Sequence, residues 1–160
     1  MAYPGRVRIV GPEEEEEVMA LCRDLHQENG MFTMNEKKVR AMLARAFNRD
    51  GGILGAIGAP GHIEALVFLM VSSFWYSDEP HLEEIFTYVA PQHRKSRAAI
   101  ELLQFAKWCV DESGMPLVIG VLSNERTEGK VRLYQRQFSK PVGNFFFYSK
   151  HGTVPDLASA

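Results

Sequence analysis

The chain has 160 residues, of which 46% are apolar and 24% charged, and a formal net charge of −2. That is enough chain for one domain with its own core, at the composition of a folded globular protein. The near-neutral charge argues against nucleic-acid binding by overall basicity, no apolar run reaches the length of a membrane span, and MAYPGRVRIV lacks the apolar core of a secretory signal, so a cytoplasmic single domain over residues 1–160 is expected, with neither nucleic acid nor membrane as partner.

In chain order, Arg6–Val10 alternates and predicts a first strand. Pro12 and the run Glu13–Glu17 open a helix, placing negative charge at the end where the helix dipole favours it. The five glutamates read as a solvated helix start, with an acidic recognition patch as the alternative. Val18, Leu21, Cys22 and Leu25 continue the helix on one face, and Gly30 stops it. Asn35 is placed to cap a second helix, in which Val39, Met42, Leu43, Ala46 and Phe47 keep amphipathic spacing up to Asp50-Gly51-Gly52. Ile53–Gly58 and Ile63–Trp75 read as strands joined by a turn at Ala59-Pro60-Gly61. After Ser77-Asp78-Glu79-Pro80 comes a third strand, Leu82–Val89.

The stretch that follows carries the chemistry. An apolar run ending at Val89 meets Pro91, then the basic turn His93-Arg94-Lys95-Ser96-Arg97, then a helix from about Ser96 to Glu112. A helix start leaves backbone N–H groups unpaired and carries partial positive charge, so the cations beside it suit a polyphosphate. Pro116–Leu122 predicts a buried strand, Thr127 to about Phe138 a fourth helix, and Phe145–Tyr148 a last strand. The order is β-α-α-β-β-β-α-β-α-β, an α/β (α+β) fold with a mixed central sheet. Cys22 and Cys109 read as reduced core thiols, and the five histidines lack metal-ligand spacing, so no metal is expected.

This order, with Val89-Ala90-Pro91 followed by Arg94-Lys95-Ser96-Arg97-Ala98-Ala99, resembles the GNAT family of acetyl-CoA-dependent N-acetyltransferases and its Q/R-x-x-G-x-G/A signature. The likeness runs from about Arg6 to Tyr148, and Arg97 stands where glycine is usual. The resemblance implies acetyl-CoA as co-substrate and direct acetyl transfer to a primary amine, on a small molecule, a polyamine or a peptide. A catalytically silent module that binds CoA or a protein partner is the alternative. It also implies that the strand at Leu82–Val89 and the next strand splay apart. The pyrophosphate would sit on the N–H groups of Arg94, Lys95, Ser96, Arg97, Ala98 and Ala99, and the pantetheine arm on backbone near Thr87 and Val89. Asn124 would bond the pantetheine amides or make an Asx turn. Glu84 would serve as general base or as a strand-end glutamate in solvent, and Tyr134 as general acid or as a core tyrosine beside Val131 and Phe138. An N–H of Tyr88 or Val89 would meet the oxyanion. The acceptor would lie near His26, Trp75 and Tyr76, with Asp78, Glu79 and Glu83 as a negative rim, although strand aromatics are more often core or homodimer contacts.

Overall fold

The computed structural model of the protein describes residues 2–123, 126–147 and 149. These form two compact units, Met1–Leu21 with Glu36–Ile119, and Cys22–Asn35 with Gly120–Ala160. The first unit holds the sheet. Its strands are β1 (Arg8–Ile9), β2 (Gly52–Ile57), β3 (Ala65–Ser73), β4 (Pro80–Val89) and β5 (Leu117–Val118), in the spatial order β1-β2-β3-β4-β5. The helices are α1 (Glu15–Asn29), which runs from the first unit into the second, α2 (Glu36–Phe47), α3 (Ala98–Ser113) and α4 (Thr127–Phe138). All pairings are antiparallel except that of β4 with β5, which is parallel and follows the α3 crossover.

Side-chain periodicity explains the layers. Ala98, Leu102, Phe105, Ala106 and Cys109 fall on one stripe of α3. They pack with Val7, Ile57, Ala65, Val67, Leu69 and Leu82, which line one face of the sheet. Each such Leu, Val or Phe removed from water contributes about 1.5–3 kcal/mol. Gly55 lies beneath this layer, where a Cβ would come within 2.8 Å of both Phe105 and Val7. The next residues along the strands, Leu54, Leu66, Phe68 and Met70, point to the other face. They are buried there, as are Val18 and Met19 of α1 and Leu43 and Ala46 of α2.

The glutamate run corrects one expectation. Four of its five carboxylates are held by partners inside the first unit, although the side chains of Glu15 and Glu16 remain 37% and 77% exposed. Glu14 is 5% exposed and receives Arg8 through two bonds of 2.7 and 2.6 Å, while Arg8 Nε donates to Gly58 O. Arg40 pairs with Glu15 and Glu16 at 2.8 and 2.7 Å. Glu17 accepts the N–H groups of Gly61 and Ile63 in the β2–β3 turn. The run therefore staples the start of α1 to the sheet and to α2.

Two strands are shorter than the apolar runs suggest. Of Pro116–Leu122, only Leu117 and Val118 pair, opposite Leu82 and Glu83, and Leu122 is exposed. Phe145–Phe147 form no strand, and Phe145 and Phe146 stand in solvent; Tyr148 lies outside the described residues. Apolar content without a paired neighbour does not make a strand.

Candidate functional site

The bonding of β4 to β3 fixes which of its backbone groups are free. Ala90 N–H bonds Glu64 O, and Tyr88 lies opposite Leu66. Antiparallel alternation then turns the N–H and C=O of Tyr88 toward β3, and those of Thr87 and Val89 off the opposite edge. On that edge β5 reaches only Leu82 and Glu83, so the strands part before Thr87. The pairing pattern is the one expected at the closed end of two splayed strands. Val89 O is taken by Arg94 Nε at 2.9 Å, which leaves Thr87 N–H, Thr87 O and Val89 N–H with no backbone partner among the described residues. The Thr87 hydroxyl, on the same face as Val67, is buried and has no hydrogen-bond partner among the described residues. A buried hydroxyl without a partner costs about 1–3 kcal/mol, a cost that a bound polar ligand removes.

A bulge shapes this edge. Phe68 pairs with Phe86 and Leu69 with Glu84, so Ile85 is an extra residue in β4. Glu84 thereby comes to the face that carries Leu69, Val67 and Ala65, together with Thr87 and Val89. Glu83 points to the other face and is exposed. No residue pattern marks the bulge, since neither glycine nor proline stands at Ile85.

Beyond Val89 the chain makes a single 3-10 turn, Pro91–His93, before α3 begins at Ala98. Half of the expected N–H cradle is used inside this turn. Arg94 N–H bonds Pro91 O, Ser96 N–H bonds His93 O, and Ala98 N–H bonds Ser96 Oγ. The N–H groups of Lys95, Arg97 and Ala99 have no acceptor among the described residues. The Arg94 side chain also turns back, its guanidinium 5.6 Å from the Tyr88 ring centroid. Lys95 and Arg97 are exposed, with no ion-pair partner among the described residues. Arg97, the departure from the signature, has φ −84° and ψ 3°. That is a conformation open to any L-residue, so its backbone has no need of glycine and its side chain faces outward.

The β3–β4 connection stands at the other end of β4, about 30 Å from Val89 along the strand, and Glu84 lies between. Here Trp75 and Tyr76 are exposed on a turn in which Ser77 N–H bonds Phe74 O. His26 and Tyr134 belong to the second unit. Within it, His26 Nε2 lies 2.7 Å from Phe32 O, and half-buried Tyr134 meets Phe138 edge-on at 6.0 Å. Asn124 lies outside the described residues.

No protein-family model matches the chain, and no curated protein matches it. Solved structures do. The aminoglycoside acetyltransferase AAC(6')-Iy, in complex with the bisubstrate analog CoA-S-monomethyl-acetylneamine, has a TM-score of 0.69 at 16% identity, over 90% of this chain and 96% of that one. The aminoglycoside 6'-N-acetyltransferase AAC(6')-Ig of Acinetobacter haemolyticus gives 0.67 at 11% identity, over 91% and 98%. An acetyltransferase of Trypanosoma brucei gives 0.64 at 14%, over 89% and 97%.

The fold is that of the GNAT acetyltransferases. The parted edge of β4 and the basic turn into α3 both lie in the first unit. Among the described residues there is no cluster of three or more metal-ligating side chains, and no helix is long and apolar enough to cross a membrane.

Proposed function

We propose that this chain is an acetyl-CoA-dependent N-acetyltransferase acting on a primary amine. The parted edge of β4 carries this reading, because free backbone groups and an unpartnered buried hydroxyl end at a cationic turn. Acetyl-CoA supplies an activated acyl group as a thioester. Lys95, Arg97 and the N–H groups of Lys95, Arg97 and Ala99 hold its pyrophosphate. The N–H and C=O of Thr87 hold the pantetheine arm as an added strand would, and the Thr87 hydroxyl gains its missing partner. Val89 N–H, and not Tyr88 N–H, stabilises the oxyanion, because Tyr88 N–H is committed to β3.

An alkylamine has a pKa near ~10.4 and must lose a proton to attack. Glu84 takes that proton, directly or through a water, as the nitrogen–carbon bond forms. Tyr134 gives a proton to the sulfur as the carbon–sulfur bond breaks. His26, Trp75 and Tyr76 contact the acceptor.

Calorimetry with CoA, followed by thiol release from acetyl-CoA over a panel of amines, tests this. Micromolar CoA affinity and amine-dependent release support it. Affinity without release on any amine points to the silent alternative, and no affinity removes both. Tyr134→Phe is expected to lower turnover at least tenfold with CoA affinity unchanged, and the reverse pattern removes Tyr134 as the acid.

A further inference from the structure

Beyond Glu83, β4 is paired on the β3 side only, because its pairing with β5 ends there. A strand end held by half the usual bonds leaves its outward N–H and C=O groups free to swing. At Val89 one side chain stands in for the missing neighbour. Arg94 Nε donates to Val89 O at 2.9 Å, as the N–H of an adjacent strand would. The flat guanidinium is carried at the same time by Tyr88, whose ring centroid is 5.6 Å away and which is 4% exposed, a rigid support.

Further bonds make the segment after Val89 one piece. Ala90 N–H bonds Glu64 O at 2.9 Å, His93 N–H bonds Ala90 O at 2.8 Å, and Ser96 Oγ donates to His93 O at 2.7 Å. His93 Nδ1 also lies 3.8 Å from Glu64 Oε2. Arg94 is half-buried in this segment, whereas Lys95 and Arg97 beside it are exposed. The turn thus divides its cations, two standing in solvent and one folded back onto the strand.

We propose that Arg94 is a positioning residue, which aims the Val89 N–H by holding the carbonyl of the same residue. Both groups leave the same edge of β4, so fixing one fixes the other. This rests on the acetyl-transfer reading, in which that N–H meets the oxyanion, and it gives the side chain a role apart from the phosphates. Aim matters, because a displacement of about 1 Å at such a donor can cost about a hundredfold in rate. Lysine is no substitute, since a compact, hydrated ammonium has neither the Nε donor nor a plane to lay on Tyr88.

The test compares the wild type with Arg94→Lys and Arg94→Gln. Calorimetry reads CoA affinity, infrared spectroscopy of bound acetyl-CoA, isotope-labelled at its thioester carbonyl, reads the oxyanion donor, and amide exchange without ligand reads the turn. In the wild type the carbonyl band is expected at lower frequency than in solution. In Arg94→Lys that shift is expected to be lost with CoA affinity within twofold, and exchange at Ser96 and Ala98 to quicken about tenfold. Circular dichroism checks folding, and Arg94→Gln serves if Arg94→Lys is unfolded; unfolding of both would make Arg94 a residue of the fold and overturn the proposal. A tenfold loss of CoA affinity with the band shift kept makes Arg94 a phosphate contact and overturns it too. So does a band that is unshifted in the wild type or unchanged in the variants. Unchanged exchange overturns it whether or not CoA binds, while a wild type that binds no CoA counts against acetyl transfer itself.

Discussion

Arg97 is where the sequence looks least like an acyl-CoA site, yet its backbone conformation makes no demand for glycine. At φ −84° a glycine gains nothing, and replacing arginine removes a cation from the turn. Arg97→Gly is therefore expected to weaken CoA binding by about two- to fivefold, the size of an exposed charge contact. Tighter binding in calorimetry would show that arginine obstructs the site. Glu14 makes a second residue-scale case. Its bonds to Arg8 hold the carboxyl below the usual range, outweighing the opposite effect of burial. A depressed pKa stabilises the fold fully above the ordinary carboxylate value, near ~4.3, and that stability is lost as pH falls through the lower folded value. Glu14→Gln should cost about 1–3 kcal/mol at neutral pH, with the gap closing below about pH 4 in denaturant titrations. None of this pairing was legible beforehand: a glutamate run on a helix start looks solvated, and the donors it accepts from lie elsewhere in the chain.

At the scale of elements, periodicity was a good guide where packing enforces it. The stripes of α2 and α3 were visible, and α4 runs from Thr127 to Phe138 as its pattern suggests. The three meander strands were visible too, bounded by glycine and proline turns. Composition misled at Pro116–Leu122 and Phe145–Phe147, because strand length depends on which neighbour offers hydrogen bonds, and sequence alone does not name the neighbour. The end of α2 shows the same limit. Its left-handed residue is Arg49, at φ 57°, ahead of Gly51 at φ 65°. Arg49→Gly removes a side chain from a strained conformation and is expected to raise stability by about 1 kcal/mol, measured as a shift in the urea midpoint at unchanged slope.

For the molecule as a whole, the core has a chemical consequence. Burial pushes the Cys22 thiol up to about 11, and the Cys109 thiol, with Glu112 adding to the effect, up to about 12. Both are free and buried. At pH 8 an aromatic disulfide reagent should modify neither in the folded protein and both in denaturant. Thiol release can then be followed with that reagent without background from the protein. Rapid native labelling of either cysteine would mean that its surroundings open far below the global unfolding free energy.

The bulge at Ile85 divides β4 into two phases, much as an inserted base divides a reading frame. Leu82 and Glu84 are in step upstream, Thr87 and Val89 downstream, and all four share one face because Ile85 is bulged out of the alternation. If Ile85 were instead taken into unbroken alternation, with the bulge lost and the residue kept, Glu84 and Thr87 would fall on opposite sides of the sheet.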